Sequence, residues 1–287
     1  MIARKAVAGA VVAVSLFIAH DAGATPRYVD RLLTLPGPVA GTIDLDGSIA
    51  WTEQSVTGCG NCSFVGSGFN VEGVLGIANR VDIGLRVGFR GFDDNLRINE
   101  GVISNADAYA RPFDQLAFYG ADAGIYGNED VSNPELRVRV RILNLRRVFE
   151  LGVEARGIAP FATGTAFTQV VGVPMALHLG HHVRFDFGGY TGFTFFGQPR
   201  GALFTFYAPA AFWFQVHNRV WLGPELGFRW YSQDIYGDRD PFDLMVGFGL
   251  GVSCTHWLDF KFQAYAPRVN DGAHWFGAGA GVQFYFN

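Results

Sequence analysis

After its first 24 residues, this 287-residue chain has no apolar run of the about 20 residues that a membrane-spanning helix needs. It is also short of charge: Asp, Glu, Lys and Arg make up 17% of the chain, against roughly 25% in an average soluble domain. The formal net charge is −4 and no loop carries a basic cluster, which argues against nucleic acid as a partner. No Pro- or Ser-rich linker divides the sequence, so we expect one domain.

Glycine and phenylalanine are abundant instead, with 38 and 27 residues, and aromatic residues reach 15%. At the N-terminus, Arg4 and Lys5 precede an apolar stretch, Ala6 to Ala19, that is too short to span a bilayer comfortably. The sequence "AGA" at residues 22–24 then matches an A-x-A cleavage site. This order of segments predicts a secretory signal peptide over residues 1–24, cleaved before Thr25, and a mature chain that acts outside the cytoplasm.

Apolar and polar residues alternate from Val81 to Arg90, where every odd position is bulky and apolar and every even position is charged or glycine. A β-strand turns successive side chains to opposite faces, so this stretch predicts a strand with one apolar and one polar face. The same alternation recurs in residues 69–77, 136–142, 183–195, 242–254 and 258–266.

Short and long connections alternate between these strands. Ala78 to Arg80 and Asn144 to Arg147 are short, whereas "GNEDVSNP" and "SQDIYGDRDP" belong to longer connections with turn formers and acidic residues. Strands of about ten residues with short turns at one end and long loops at the other are the signature of a transmembrane β-barrel. A secreted sandwich or jelly roll is the alternative, and smaller, less aromatic inner faces would favour it.

Three arginines, Arg137, Arg139 and Arg141, indicate which face points inward. On a lipid-facing surface each would cost roughly 2–4 kcal/mol near the bilayer midplane, whereas a wet interior accommodates them. We therefore expect the apolar face to contact lipid and the polar face to line a lumen. The candidate lumenal residues are Glu72, Arg86, Arg90, Arg137, Arg139, Arg141, Glu150, Glu154, Arg184, Asp186, Glu225, Arg229, Asp259 and Lys261.

The alternating stretches number about thirteen, including one over residues 115–126, and a barrel with both ends in the periplasm needs an even number of strands. The parity gap lies in residues 91–115, where "LRINEGVI" (Leu96 to Ile103) would supply a further strand. We predict an all-β, antiparallel transmembrane barrel of about fourteen strands, with twelve as the alternative. The barrel occupies residues 39–287, and residues 25–38 form a periplasmic N-terminal segment.

Hairpin register follows from keeping the apolar faces of paired strands together. Around the short turns, this condition brings opposite charges together in the lumen. The predicted pairs are Phe69 with Phe89, Glu72 with Arg86, Arg137 with Glu154, Arg139 with Gly152, Arg141 with Glu150, Ser253 with Asp259 and Cys254 with Leu258.

The C-terminal sequence "GVQFYFN" resembles the targeting signal of bacterial outer-membrane β-barrel proteins, with Gly281, Phe284 and Phe286 at the expected spacing and Asn287 after the last aromatic residue. The stretch "YVDRLLTLPGPV" (Tyr28 to Val39) is similar to the lead-in of uncharacterised, porin-like outer-membrane barrels of Gram-negative bacteria. The resemblance implies a location in the bacterial outer membrane, contact with its lipid and lipopolysaccharide, and insertion by the barrel-assembly machinery.

Two local motifs have structural interpretations. "TIDLDGSIAWTE" (Thr42 to Glu53) nearly matches a calcium-binding loop, but Thr42 stands where aspartate is expected and no helix flanks it, so a strand is favoured. "CGNC" has redox-motif spacing without a βαβ context, and a local disulfide between Cys59 and Cys62 in an exported loop is favoured. We expect no metal site and no cofactor.

Serine, histidine and acidic residues do not form a catalytic pattern. Four histidines, His181, His182, His217 and His256, fall in predicted periplasmic turns, away from the outer rim where barrel enzymes build their sites. We therefore expect that the protein is not an enzyme.

The sequence favours a passive, porin-like channel for small polar solutes through a charged lumen. The arginine stripe would give a mild preference for anions unless glutamates on the neighbouring strand cancel it. Two alternatives stay open: a closed structural or adhesive barrel whose acidic loops bind cations or a partner, and a transporter for hydrophobic compounds with Thr25 to Val39 folded inward as a plug. The sequence does not determine the oligomeric state.

Overall fold

The computed structural model describes residues 40–56, 60–78, 80–92, 134–145, 148–159, 167–180, 182–195, 202–232, 242–266, 269–271 and 275–286. Within these ranges the strands are β1 Gly41–Val56, β2 Gly60–Ala78, β3 Val81–Phe92, β4 Glu135–Leu145, β5 Phe149–Ile158, β6 Phe167–Leu179, β7 Val183–Phe195, β8 Ala202–His217, β9 Val220–Tyr231, β10 Phe242–Thr255, β11 Leu258–Ala266 and β12 Trp275–Phe286. A short 3-10 helix spans Val269–Asp271. No helix in the described ranges is long and apolar enough to cross a membrane.

The strands form one closed barrel in which each strand pairs with its neighbours in sequence and β1 pairs with β12. The closing ladder is antiparallel and runs from Gly41 opposite Phe286 to Thr52 opposite Trp275. Closure removes the unpaired edges that an open sheet would expose. The predicted fold class, an all-β antiparallel barrel, is confirmed.

The number of strands in the barrel is twelve, the alternative named above, and the first prediction of fourteen is wrong. The reason is that β3 pairs directly with β4, with Leu85 opposite Leu136. No further strand is therefore inserted between them. The two stretches that were predicted to supply additional strands, residues 96–103 and 115–126, lie outside the described residues.

The outer surface of the barrel is apolar and its interior is charged. Along β4, Leu136 and Val138 are 52% and 36% exposed, whereas Arg137 and Arg139 are 6% and 9% exposed. This alternation follows from the two-residue period of a strand. The apolar face therefore points outward, as the arginine stripe predicts.

Part of the predicted register is confirmed. Between β2 and β3, Glu72 lies opposite Arg86 and Phe69 opposite Phe89. The segment Thr42 to Glu53, which resembles a calcium-binding loop in sequence, is part of strand β1. The pairing of Ser253 with Asp259 between β10 and β11 is also confirmed.

The register predicted between β4 and β5 is wrong by two residues. Arg139 lies opposite Glu154 and Arg141 opposite Gly152, whereas the prediction placed Arg137 opposite Glu154. The two strands pair closer to their turn than predicted, with Leu145 opposite Phe149, which shifts the pairing by three residues, and a bulge directly after Arg141 shifts it back by one. Because the shift is even, every side chain keeps its predicted face.

Two further predicted pairs are also wrong. Glu150 lies opposite Asn144 rather than Arg141. A bulge between β10 and β11 leaves Cys254 as the extra residue, so Leu258 pairs with Thr255 instead.

Cross-linking can test the direct pairing of β3 with β4. Opposite residues of an antiparallel pair have Cα atoms about 4.5–5.5 Å apart, a distance that a disulfide can bridge. We expect Leu85→Cys combined with Leu136→Cys, in a chain whose three native cysteines are replaced by serine, to form an intramolecular disulfide on oxidation. Gel mobility before and after reduction measures it.

The matched control combines Leu85→Cys with Val140→Cys, which lies on the same outer face of β4 but opposite Val81. This control should stay reduced. If a strand lay between β3 and β4, neither pair would cross-link.

Candidate functional site in the barrel interior

Buried charged side chains line the interior of the barrel. Of the predicted lumenal residues, eleven are at most 9% exposed: Glu72, Arg86, Arg137, Arg139, Glu154, Arg184, Asp186, Glu225, Arg229, Asp259 and Lys261. Arg141 and Glu150 are half-buried near the turn between β4 and β5. The side chain of Arg90 lies outside the part of the chain that the structure describes.

Four further buried charges belong to the same interior, and sequence reasoning missed them as candidates. These residues are Asp82, Glu135, Arg156 and Asp243, all at most 2% exposed. A signal for them exists in the sequence, because each occupies the polar phase of an alternating strand. Taking the polar phase of every strand from its first residue to its last would have found them.

One ion pair joins two strands across a third. The Arg137 Nη2 atom on β4 lies 3.0 Å from the Glu72 Oε1 atom on β2. Between them, β3 presents Gly84, where a Cβ atom would lie 3.3 Å from Arg137 Nε and 3.4 Å from Glu72 Oε1. The absence of a side chain at Gly84 therefore gives the pair its space along the barrel wall.

The same arrangement recurs elsewhere around the barrel. Lys261 Nζ on β11 lies 3.1 Å from Asp44 Oδ2 on β1, with β12 between them. The Gln263 amide on β11 donates a hydrogen bond to Glu225 on β9. Gly247 on the intervening β10 again leaves space, since a Cβ atom there would lie 3.3 Å from Glu225 Oε2.

Other ion pairs join adjacent strands. Arg139 donates to Asp82 Oδ2 through Nε at 3.1 Å and Nη2 at 2.9 Å. Arg156 bridges two acids, Glu135 at 3.3 Å and Glu154 on its own strand. Such pairing compensates much of the cost of removing a guanidinium and a carboxylate from water.

The ion pairs determine the electric field of the predicted arginine stripe. Arg137 faces Glu72 and Arg139 faces Asp82. These acids lie on β2 and β3, on the opposite side of β4 from the glutamates that the sequence suggested as partners. A positive field from the stripe is thus largely cancelled by neighbouring acids.

Aromatic side chains occupy the interior on the side formed by β7 to β11. A tyrosine at a strand end, such as Tyr231, is expected in an interfacial aromatic girdle, but Tyr231 is 1% exposed and projects inward. Its hydroxyl donates to Asp243 at 2.9 Å and accepts a hydrogen bond from Arg229 at 3.1 Å. Arg229 also stacks over the ring of Tyr207, 5.5 Å from its centroid. The outward residue at this strand end is Trp230, 37% exposed.

Three of the interior rings lie flat against glycines of neighbouring strands. A Cβ atom at Gly172, Gly251 or Gly277 would fall 1.9–2.2 Å from the ring of Tyr190, Trp221 or Tyr265, respectively. The sequence predicts that inward glycines leave lumen volume, especially near Lys261 and Gln263. At these positions the volume is instead filled by rings, which explains why only glycine fits there.

A small pocket opens in the interior near the turn between β4 and β5. Its volume is about 30 Å³, and charged side chains of Arg139, Arg141, Glu150 and Arg184 line it. Glu150 Oε1 lies 3.3 Å from His178 Nε2. A pocket of this volume and polarity accommodates one or two water molecules.

The described residues contain no group of three or more His, Cys, Asp or Glu side chains that could hold a metal ion. His182, His217 and His256 lie exposed at the short turns. Cys254 is a free thiol, whereas Cys59 and the side chain of Cys62 lie outside the described residues, so their disulfide stays a prediction.

Solved structures share this architecture. An outer membrane channel from Pseudomonas putida F1 matches with a TM-score of 0.58 at 12% identity, covering 88% of this chain and 97% of that chain. The NanC porin matches with a TM-score of 0.55 at 8% identity, covering 84% and 98%. The KdgM porin matches with a TM-score of 0.51 at 8% identity, covering 86% and 99%.

The fold is that of outer-membrane channels and porins. No protein-family model matches the sequence, and a search of curated proteins finds no match. The common feature is thus the barrel fold itself, and the lumenal residues have to be interpreted from this chain alone.

The ion pair across Gly84 can be tested with a double-mutant cycle. Removing one partner leaves an uncompensated buried charge, so we expect Glu72→Gln or Arg137→Met alone to lower the free energy of unfolding by about 3–5 kcal/mol. The double variant should lose less than the sum of the single variants. Urea unfolding of the protein refolded in lipid vesicles gives the four free energies.

Arg80→Gln, at an exposed turn position, is the control and should change the free energy of unfolding by less than about 0.5 kcal/mol. Additive effects of Glu72→Gln and Arg137→Met would show that the two side chains do not depend on each other.

Proposed function

We propose that the chain is an outer-membrane barrel that forms a passive, porin-like channel for small polar solutes through its charged lumen. The observation that carries this proposal is the division of the strands into an apolar outer face and a charged inner face. A barrel interior that serves only structure needs filling, and apolar side chains fill it without a desolvation cost. Because many strands of this barrel instead present charged side chains to the interior, a path for polar solutes is favoured.

The outer surface supports the membrane location. Large apolar side chains there are 36–59% exposed, an arrangement that lipid stabilises and water does not. The signal peptide predicted over residues 1–24 and the C-terminal resemblance to a targeting signal support export and insertion by the barrel-assembly machinery. Membrane lipid and lipopolysaccharide then surround the barrel.

The ion pairs determine the selectivity that we expect. Arg137, Arg139 and Arg156 each lie beside an acidic partner, so the lumenal wall presents alternating charge with little net field. We therefore propose weak discrimination between anions and cations. This replaces the mild anion preference that the arginine stripe suggests in the sequence.

The burial of the lumenal charges favours a second candidate function. Asp82, Arg184 and Glu225 are 0% exposed, so water does not reach them in this state. For a channel, this is a closed state whose side chains must rearrange before solutes pass. A permanently closed structural barrel would keep the same interior. The charged wall speaks against the third candidate, a transporter for hydrophobic compounds.

Conductance separates these functions. We expect the refolded mature chain to give stable, small single-channel steps in a planar bilayer, with weak selectivity in the reversal potential. Arg139→Gln leaves the buried carboxylate of Asp82 uncompensated and should shift the reversal potential toward cation preference. Asp82→Asn leaves the guanidinium of Arg139 uncompensated and should shift it toward anion preference.

Phe193→Leu, on the outer face, is the control for both variants and should leave the reversal potential unchanged. Shifts of the same sign in Arg139→Gln and Asp82→Asn would remove this pair from the conducting path. A well-folded barrel that conducts nothing, alone or as either variant, would favour the closed structural barrel.

A further inference from the structure

The short connections of the barrel carry basic residues at one end of the molecule. Antiparallel pairing of consecutive strands places five of them together, at residues 79–80, 146–148, 180–182, 218–219 and 256–257. Each contains an arginine or a histidine. We use the term basic rim for the members whose placement is described, together with the histidine that ends β8: Arg80, His182, His217, Arg219 and His256.

Acidic residues are absent from these five connections in the sequence. The long connection of residues 93–133, which follows the opposite end of β3, has eight acidic residues and two arginines in its sequence. The acids that follow two of the short turns, Asp82 and Asp259, project inward and are 0% exposed. Among the connections, charge is thus sorted by position, because the five short ones carry bases and no acids whereas the long one carries a large excess of acids.

The basic rim adjoins the apolar outer surface. Trp257, beside His256, is 43% exposed and stacks on Phe284 with ring centroids 6.3 Å apart. Ile77 precedes the first short turn and is 54% exposed, and Val216 precedes His217 and is 59% exposed. Basic residues that lie directly beyond an apolar, partly aromatic belt occupy the level of lipid headgroups.

The side chains of the basic rim have the chemistry to recognise phosphate. Arginine offers a planar fork of donors that matches phosphate oxygens, and it is always charged. Arg80 is exposed, and the Nη1 atom of Arg219 donates to the Cys254 carbonyl at 3.3 Å, which holds its side chain at the rim. Basic residues near an anionic membrane surface concentrate anionic lipids around the protein.

We propose that the basic rim binds the phosphate groups of anionic phospholipids in the periplasmic leaflet of the outer membrane. The proposal rests on the outer-membrane location given under the proposed function, but it does not depend on conduction. The sorted charge and the adjoining apolar belt both support a lipid surface as the occupant. The basic rim, whose residues come from four turns, recruits these lipids around the barrel.

Spin-labelled lipids test the proposal on the refolded mature chain. The probes are phosphatidylglycerol and phosphatidylcholine in phosphatidylcholine vesicles, and electron paramagnetic resonance gives the ratio of their association constants with the barrel. We expect phosphatidylglycerol to be preferred, with each rim arginine contributing up to about fivefold at its own lipid site. Arg80→Gln combined with Arg219→Gln should bring the ratio close to one, and molar salt should reduce it in the parent chain.

The matched control is Arg200→Gln combined with Arg268→Gln, which removes two positive charges from the long connections and should keep the parent ratio. A parent ratio of one, or an equal loss in the control, would overturn the proposal.

Cosedimentation with purified peptidoglycan that requires Arg80 and Arg219, without any lipid preference, would also overturn it and assign the rim to the cell wall. A barrel that prefers phosphatidylglycerol but conducts nothing would retain this inference while the channel function fails.

Discussion

The antiparallel hydrogen bonds between β1 and β12 are the interaction on which the rest of the molecule depends. Without this ladder the sheet would have two open edges, whose backbone groups lipid cannot satisfy. With it, the sheet has an inside and an outside, and the two-residue period of each strand assigns every side chain to one of them. The apolar surface and the charged interior both follow from that assignment.

Much of this assignment could be predicted from the sequence, because it needs only periodicity. The outward direction of Leu136 and Val138 and the inward direction of Arg137 and Arg139 follow from alternation and from the cost of charge in lipid. Strand number could not be predicted in the same way. The segment 91–115 includes a stretch with a strand-forming pattern. Periodicity alone does not tell whether such a stretch becomes a strand of the barrel.

Which interior side chains contact each other was harder to predict than which face of the sheet each side chain occupies. The strands β4 and β5 pair closer to their turn than predicted, and a bulge after Arg141 shifts the register again. No composition signal marks either feature. The Glu72–Arg137 pair joins strands that are not adjacent, so hairpin register cannot reveal it. The rings over Gly172, Gly251 and Gly277 show a related limit, because the sequence does not say which ring covers a glycine.

The space at Gly84 has a consequence for how this sequence can change over time. A Cβ atom at position 84 would lie 3.3–3.4 Å from Arg137 and Glu72, so even alanine would require these side chains to shift by a few tenths of an ångström. A lineage that acquires a larger residue at position 84 strains the contact without any change in either charged residue. Selection therefore acts on three strands at once, and homologous barrels that keep this glutamate and arginine are expected to keep glycine between them.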